Sequence, residues 1–433
     1  MIFDLAIIGG GPAGYTAALE AEKEGLKVIL FEKEKLGGVC LNKGCIPMKS
    51  FLYASEMYHK SQYWKYSSLP FPLEKVIEYS KSNVEKLEEN LKYTLNRELI
   101  SIKMEKVNSI QKKENYEIET NCSLYSAKNI IIATGAKDYI PEINGLADAL
   151  ERGMAITCSE IFVKEDLPSN IIIIGAGFVG MEIASFLKDI GRNVTVIEKA
   201  DSPFQMLDQD IVSFYIRQMK RCGIEFIFGS DIESINFEEK TLTYINKSVE
   251  KVLQTDLIVI ATGKRVDNQW RNIEGAYICG DINGKSMLAH TAMQEAKMAV
   301  KKILGEKNEI VYENIPSVLY SAPEVAWVGK NQNVCLNEFG DKFEIIKIDM
   351  NYSSRYVIQS LNSRGILKVL IDKESEKILG CQIVGNGASE LISVFSILIS
   401  NQLSIKEIKN TVFPHPSIAE VLAYIDSCKT SLH

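Results

Sequence analysis

One structural unit is written twice in this chain, and that repetition restricts the fold more than anything else in it. LAIIGGGPAG (Leu5 to Gly14) and IIIIGAGFVG (Ile171 to Gly180) each run from an apolar strand into Gly-x-Gly-x-x-Gly and on into a helical pattern. The first motif is Gly9, Gly11 and Gly14; the second is Gly175, Gly177 and Gly180. In each copy an acidic residue closes the next apolar strand, Glu32 after Lys27 to Phe31 and Glu198 after Asn193 to Ile197, and it stands 23 residues beyond the first glycine both times. The first glycine makes a tight turn, the second lets a pyrophosphate approach the backbone, and the third lets helix pack on strand. The helix N-terminus then attracts the pyrophosphate charge. A carboxylate about twenty residues on accepts hydrogen bonds from ribose hydroxyls and repels a 2′-phosphate. Two dinucleotide sites are expected, and Glu198 favours NAD over NADP, with Arg192 and Lys199 nearby as opposing charges.

A second repeated string closes each unit: NIIIATG, which ends in Thr134 and Gly135, and LIVIATG, which ends in Gly263. The segment Asn83 to Arg97, with Leu87, Leu91 and Leu95 four apart, predicts a packed helix without chemistry of its own. A length of 433 residues suggests about three domains. With 46% hydrophobic and 24% charged residues and 11 prolines, the composition is that of a packed globular protein. Lys plus Arg number 49 against 56 Asp plus Glu, a formal charge of -7, which gives no reason to expect a nucleic-acid partner. Apolar runs are strand-sized, far below the roughly 18 residues of a membrane span, so no membrane association is expected. The strand-like Ile2 to Ile8 leads straight into glycines and leaves no room for a targeting segment, so the expected location is the cytoplasm.

Nine cysteines, mostly scattered singly, do not read as a secreted disulfide framework. One pair differs. GGVCLNKGCIPMK (Gly37 to Lys49) sets Cys40 and Cys45 five apart in a glycine-bounded stretch. Three readings stand: a redox-active disulfide lying against the first dinucleotide, two unrelated thiols, or part of a metal site. The metal reading lacks a second pair of Cys or His nearby to complete a tetrahedral shell, so no metal is expected.

With these residues on the page, the chain resembles the pyridine nucleotide-disulfide oxidoreductases over nearly its whole length, and among them most resembles the dihydrolipoamide dehydrogenases. ICGD (Ile278 to Asp281), MLAH (Met287 to His290), PSVLYSAPEVAWVG (Pro316 to Gly329) and HPSIAE (His415 to Glu420) recur in the family's order. The resemblance implies FAD on the first unit, NAD on the second, and a C-terminal domain that forms a homodimer. It assigns Gly9, Gly11, Gly14 and Glu32 to the adenosine and pyrophosphate of FAD, and Asp281 to its ribityl chain, although Asp281 alone also reads as a turn aspartate. Met287, Leu288, Ala289 and His290 would lie by the flavin, where a helix N-terminus stabilises negative charge. Lys49 matches the family lysine near the reactive flavin nitrogen, and Glu182 its ion-pair partner. Gly175, Gly177, Gly180, Glu198 and Gly263 match NAD-binding positions. Phe178 stands where relatives cover the nicotinamide pocket, and reads equally as a core aromatic.

Of the four histidines, at 59, 290, 415 and 433, His415 matches the family base, with Glu420 as the carboxylate that orients it; His59 and His433 read as surface residues. In the family this base comes from the other subunit. The implied chemistry is oxidation of protein-bound dihydrolipoamide by NAD: His415 deprotonates a substrate thiol, the thiolate attacks Cys40, and Cys45 is left as a thiolate beside the flavin. The implied partner is a lipoyl-bearing protein, the acyltransferase of a 2-oxoacid dehydrogenase complex or the glycine cleavage H protein. Rival functions are reduction of another disulfide (glutathione, thioredoxin or a small disulfide) and a flavin-binding assembly subunit without turnover.

Several positions depart from the family pattern. Only 17 residues separate Gly263 from Asp281, fewer than relatives carry; Phe413 replaces a second histidine; Pro414 follows it; Met48 replaces a small residue; and Met104 to Lys106 lack small residues near the adenine. The expected fold is α/β, with two Rossmann-like units, FAD-binding at 1–138 and 264–308 and NAD-binding at 139–263, and an α+β interface domain at 309–433. In that last domain ILKVLID and KILGCQIVG read as strands, and Ala388 to Ser400 and Ile418 to Ser427 as helices.

Overall fold

The computed structural model describes residues 1–66, 68–307, 309–361 and 363–426 and the backbone of 429–430, so His433 and the Ser427 end of the last expected helix lie outside the described residues. Both glycine motifs sit at the same place in the same topology. Strand Ile2–Ile8 runs parallel to Val28–Phe31, and Ile8 stands beside Phe31; strand Asn170–Ile174 runs parallel to Asn193–Ile197, and Ile174 stands beside Ile197. The Gly9 amide donates to the Phe31 carbonyl at 2.8 Å and the Gly175 amide to the Ile197 carbonyl at 2.8 Å. After each motif a 12-residue helix follows, Pro12–Lys23 and Phe178–Asp189. The mixed α/β architecture is that of the expected class.

The first sheet runs Ile100–Lys103, Val28–Phe31, Ile2–Ile8, Leu124–Ile132, Tyr116–Thr120, Val107–Lys112, with Tyr277–Ile278 also paired to Leu124–Ile132. Its central strands are parallel and buried on both faces toward their C-terminal ends, which is why Leu5 to Ile8, Val28 to Phe31 and Ile130 to Ile132 are apolar without alternation. The second sheet is parallel throughout: Glu225–Ile227, Asn193–Ile197, Asn170–Ile174, Leu257–Ile260, Ala155–Thr157. An antiparallel meander, Ser230–Asn236, Thr241–Asn246 and Val249–Gln254, is appended to it in sequence. Two crossovers pair as the short antiparallel strands Ala136–Asp138 and Lys264–Val266, where Asp138 and Lys264 form an ion pair.

The C-terminal region is α+β. Strands Ile366–Asp372 and Ile378–Val384 pair antiparallel inside a six-stranded sheet that carries the apolar helix Ala388–Ser400. Ile418–Tyr424 winds as a 3₁₀ helix instead of the expected α-helix, its first turn capped by the Ser417 side chain. The helix expected at Asn83 to Arg97 begins ten residues earlier, spanning Leu73–Leu95; Leu95 is buried but Leu87 is exposed, so the leucine spacing overstated the packed face.

Packing fixes where the dithiol segment sits. Helix Cys45–Tyr63 leans on the second unit through Phe51, whose ring meets Phe186 and Phe162 edge-on at 5.2 and 5.4 Å. All three are buried, each contributing about 1.5–3 kcal/mol by leaving water. Met48 is buried in the same core, so its substitution for a small residue is a packing change on the side away from solvent. Among the described residues no helix is long and apolar enough to cross a membrane.

Candidate active site

The first glycine loop is shaped by what a side chain would strike. A Cβ on Gly9 would lie 2.3 Å from the Ala133 carbonyl oxygen, and one on Gly14 only 1.7 Å from that of Gly9. Gly11 differs: its nearest neighbour would be the Gly38 Cα at 3.9 Å, so glycine there keeps the backbone bare toward the helix N-terminus. In the second loop Gly180 would meet the Gly175 carbonyl oxygen at 2.1 Å, whereas Gly177 faces nothing within 4 Å. Both loops therefore have the exposed amides and open approach that a pyrophosphate requires. Glu32 accepts from the Gly10 and Glu34 amides, both at 2.8 Å; Glu198 accepts from Ala176 at 2.8 Å and Ala200 at 2.9 Å. Each carboxylate is thus clamped at the lip of its glycine loop, where an adenosine ribose would lie. Lys199 is engaged with Asp231 at 2.7 Å.

Thr134, Gly135 and Gly263 follow the strands that close the two sheets; the Tyr139 amide donates to the Gly263 carbonyl. Asp281 begins a short 3₁₀ turn after the Tyr277–Ile278 strand. Burial pushes its carboxyl up, against the opposing charge of Lys264. Met287 and Leu288 lead into helix Ala289–Ile303, and His290 in its first turn bonds through Nε2 to the Pro316 carbonyl oxygen at 2.7 Å, tying this helix to the third domain.

Between the loops stands the dithiol. Gly44 separates a short helix, Gly38–Lys43, from the helix that begins at Cys45, and this break turns the two sulfurs toward each other. The two side chains act directly on each other, the juxtaposition that the expected disulfide requires. The pair is polarised. The hydrogen bond to Cys45, followed by burial, raises Cys40 far above an ordinary thiol; the hydrogen bond from Cys40, with the Lys49 charge, lowers Cys45 to about 7. Cys45 also opens a 19-residue helix, whose N-terminus favours a thiolate.

Lys49 lies one turn further on and reaches across to the second unit, where Glu182 holds it at 2.9 and 2.8 Å. Glu182 is buried and also accepts from the Tyr320 amide at 3.0 Å, while the Lys49 ammonium sits 4.5 Å from the Tyr320 ring centroid. Three separate stretches of chain thereby fix one cation beside Cys45. Nothing within PSVLYSAPEVAWVG singles out Tyr320, and nothing in the first motif helix singles out Tyr15, whose hydroxyl is pushed up to about 12 by burial and by the two cysteines. Proximity to a thiol pair 25 residues away leaves no local mark. Phe178 is half-buried and stacks on Trp327 at 5.3 Å, with Phe204 edge-on at 5.9 Å, so its ring is part of an aromatic cluster.

His415 and Glu420 form a second, separate cluster. Nδ1 of His415 lies 2.6 Å from Glu420 Oε2, and the imidazole is largely exposed while the carboxylate is mostly covered. Burial pushes the Glu420 carboxyl up, but hydrogen bonds from His415 and the Ser354 amide outweigh it and leave it below the usual range. With Nδ1 engaged, Nε2 is the ring nitrogen left without a bond to Glu420. Among the described residues no hydrogen bond or ion pair joins His415 to Cys40, Cys45 or Lys49 of the same chain. Phe413 packs against the core of the interface domain.

The family model for pyridine nucleotide-disulphide oxidoreductases matches residues 3–276, and the model for their dimerisation domain matches residues 315–424. A dihydrolipoyl dehydrogenase of Mycoplasma genitalium is 27% identical over 100% of this chain and 99% of its own. One of Staphylococcus aureus is 30% identical over 96% of this chain and 94% of its own. Among solved structures, the HOCl-induced flavoprotein disulfide reductase RclA of Escherichia coli superposes with a TM-score of 0.83 at 21% identity, covering 98% of this chain and 99% of that one, a likeness of fold.

Proposed function

Because the chain belongs to the pyridine nucleotide-disulphide oxidoreductase family, we propose that it is a homodimeric dihydrolipoyl dehydrogenase that oxidises protein-bound dihydrolipoamide with NAD. The observation that carries this reading is the Cys40–Cys45 pair beside the Lys49–Glu182 ion pair. FAD and NAD are the family's dinucleotides, and the two open glycine loops with their clamped acids fit them. We assign FAD to residues 1–138 and 264–308, with Gly9, Gly11, Gly14, Glu32, Lys49, Thr134, Gly135, Asp281 and Met287 to His290 around it. NAD goes to residues 139–263, with Gly175, Gly177, Phe178, Gly180, Glu182, Glu198 and Gly263. The interface domain is 309–433.

His415, oriented by Glu420, takes the proton of a dihydrolipoyl thiol at Nε2. The resulting thiolate attacks Cys40 of the oxidised pair; a bond forms from substrate sulfur to Cys40 as the Cys40–Cys45 bond breaks, and Cys45 leaves as a thiolate. The second substrate thiol then displaces Cys40, releasing the cyclic disulfide and leaving the enzyme pair two electrons richer. Cys45 is the better leaving group because its thiolate is stabilised by the Lys49 charge and the helix N-terminus. FAD, when bound, supplies the two-electron relay from this dithiol to NAD. Since His415 and the dithiol form separate clusters in one chain, the base is assigned to the neighbouring subunit's dithiol. The partner is a lipoyl-bearing protein, an acyltransferase subunit or a glycine cleavage H protein, and the reaction is placed in the cytoplasm.

The test is steady-state NADH formation from dihydrolipoamide and NAD, with Cys45→Ser as control. Turnover that the substitution abolishes supports the reading. A yellow protein whose disulfide NADH still reduces, but which leaves dihydrolipoamide untouched, moves the assignment to another disulfide.

A further inference from the structure

Away from both glycine loops, a cavity of about 700 Å³ opens on the flank of helix Ala289–Ile303, under the 17-residue crossover that returns to the first unit. None of Gly9, Gly11, Gly14, Glu32 or Asp281 lines it. Its wall includes the Tyr277–Ile278 strand, which among the described residues pairs on one side only, with Leu124–Ile132. Three cations point chemistry at this space. Arg271 donates to the Asn283 carbonyl at 3.0 Å, and the Lys285 ammonium lies 5.3 Å from the Tyr312 ring centroid. The Lys302 side chain has no hydrogen bond or ion pair among the described residues. None of the three is paired with a carboxylate among those residues, in a chain whose net charge is -7.

The two carboxylates of the cavity do not fill that role. Glu309 stands at the exposed margin. Glu295 is buried at the base, where the Gly280 amide, the Asn283 side chain and the Tyr312 hydroxyl already donate to it. Half-buried Tyr277 and Tyr312 supply flat apolar surface beside the cations. The volume falls within the roughly 300–1,000 Å³ of small-molecule sites.

We propose that this cavity binds a nucleoside phosphate, with its phosphates on Arg271, Lys285 and Lys302 and its base against the tyrosine rings. Guanidinium and ammonium groups are the side chains that hold phosphate oxygens, and aromatic faces accept any base. Glu295 links the site to the dinucleotide machinery, since its Gly280 and Asn283 partners bracket Asp281. The proposal needs no turnover, so it stands or falls separately from the dihydrolipoamide reading.

The test is isothermal titration of the holoprotein, pre-saturated with NAD to fill the second unit, with ADP and separately with inorganic pyrophosphate. The expected result is one saturable ADP site per chain, weakened at least tenfold by both R271E/K302E and R271Q/K302Q, and pyrophosphate binding more weakly than ADP. No saturable ADP binding, equal binding of pyrophosphate, or affinity unchanged in the variants overturns it; the Gln pair separates loss of the site from any charge-reversal effect on folding.

Discussion

The two glycine loops share topology, offset and hydrogen bonds, yet they differ in how firmly they enclose what they bind. Glu32 is 8% exposed and sits in a seven-stranded sheet joined by segments from three parts of the chain, including the Tyr277–Ile278 strand. Glu198 is half-buried in a five-stranded sheet, and Gly177 beyond it opens on empty space. One motif thus supports two kinds of occupancy. The proposed assignment, a resident FAD on the first unit and an exchanging NAD on the second, accords with that difference in enclosure.

The strongest way to break this comparison is to strike the third glycine of each loop. Gly14→Ala forces a Cβ onto the Gly9 carbonyl, and Gly180→Ala forces one onto that of Gly175. Gly14→Ala is expected to yield protein without flavin, read as lost absorbance near 450 nm. Gly180→Ala is expected to stay yellow while NAD-linked turnover falls on the order of 100-fold or more. Flavin loss from both variants to the same extent would show that the units are not independent.

Next in size is the place where the units meet. Lys49 belongs to the first and Glu182 to the second; the Lys49 charge lowers the Cys45 pKa to about 7, after the Cys40 hydrogen bond, and the Glu182 charge opposes it. Lys49→Met removes a charge that favours the thiolate, so the Cys45 pKa must rise. Iodoacetamide reacts with the thiolate. Its rate on reduced wild-type protein should climb through a midpoint near pH 7, and on Lys49→Met through a midpoint about one unit or more higher. An unmoved midpoint would leave the Cys40 hydrogen bond as the whole cause.

A smaller effect separates the acids. Glu198→Gln keeps one acceptor for the Ala176 or Ala200 amide but loses the charge that repels a 2′-phosphate. The Michaelis constant for NAD should rise roughly tenfold, equivalent to one hydrogen bond to a charged group, and discrimination against NADP should narrow. Glu32→Gln should leave both constants unchanged and speed flavin loss on dialysis. Comparing the two variants side by side distinguishes an exchanging site from a resident one.

What was legible in the sequence follows the same division. The glycines and their acids could be read because turn, helix and second strand lie within 24 consecutive residues, and each residue type answers a local steric or electrostatic demand. The Lys49–Glu182 pair spans 133 residues and was visible only through resemblance. Tyr320 and Tyr15 were missed because a tyrosine in a loop or a helix carries no sign of which distant thiol or ammonium it will face. The cavity beside Ala289–Ile303 was hidden for a related reason: a short crossover is countable, but the space it leaves between a helix and a sheet edge is a tertiary fact. Leu87 shows the opposite error, a helical period that promised burial the surroundings do not provide.

The smallest predicted effect lies at matching ends of the two motif helices. Lys23 closes the first and Asp189 the second, each 14 residues past its first glycine. A cation suits a helix C-terminus and a carboxylate opposes it. Lys23 is largely exposed, whereas Asp189 is mostly buried. Burial, with the charge of Glu56, pushes its carboxyl up to about 7. His59 lies 3.9 Å away but is itself held below its ordinary value by burial, so it brings little positive charge at neutral pH. A folded pKa above the unfolded one means that the favourable, protonated form is fully present below about pH 4 and is lost as pH rises through 7. Asp189→Asn should therefore match wild type at pH 4 and melt roughly 1–3 °C higher at pH 8. A difference that is the same at both pH values would mean that the aspartate acts through shape instead of charge, and would remove the electrostatic contrast between the two helix ends.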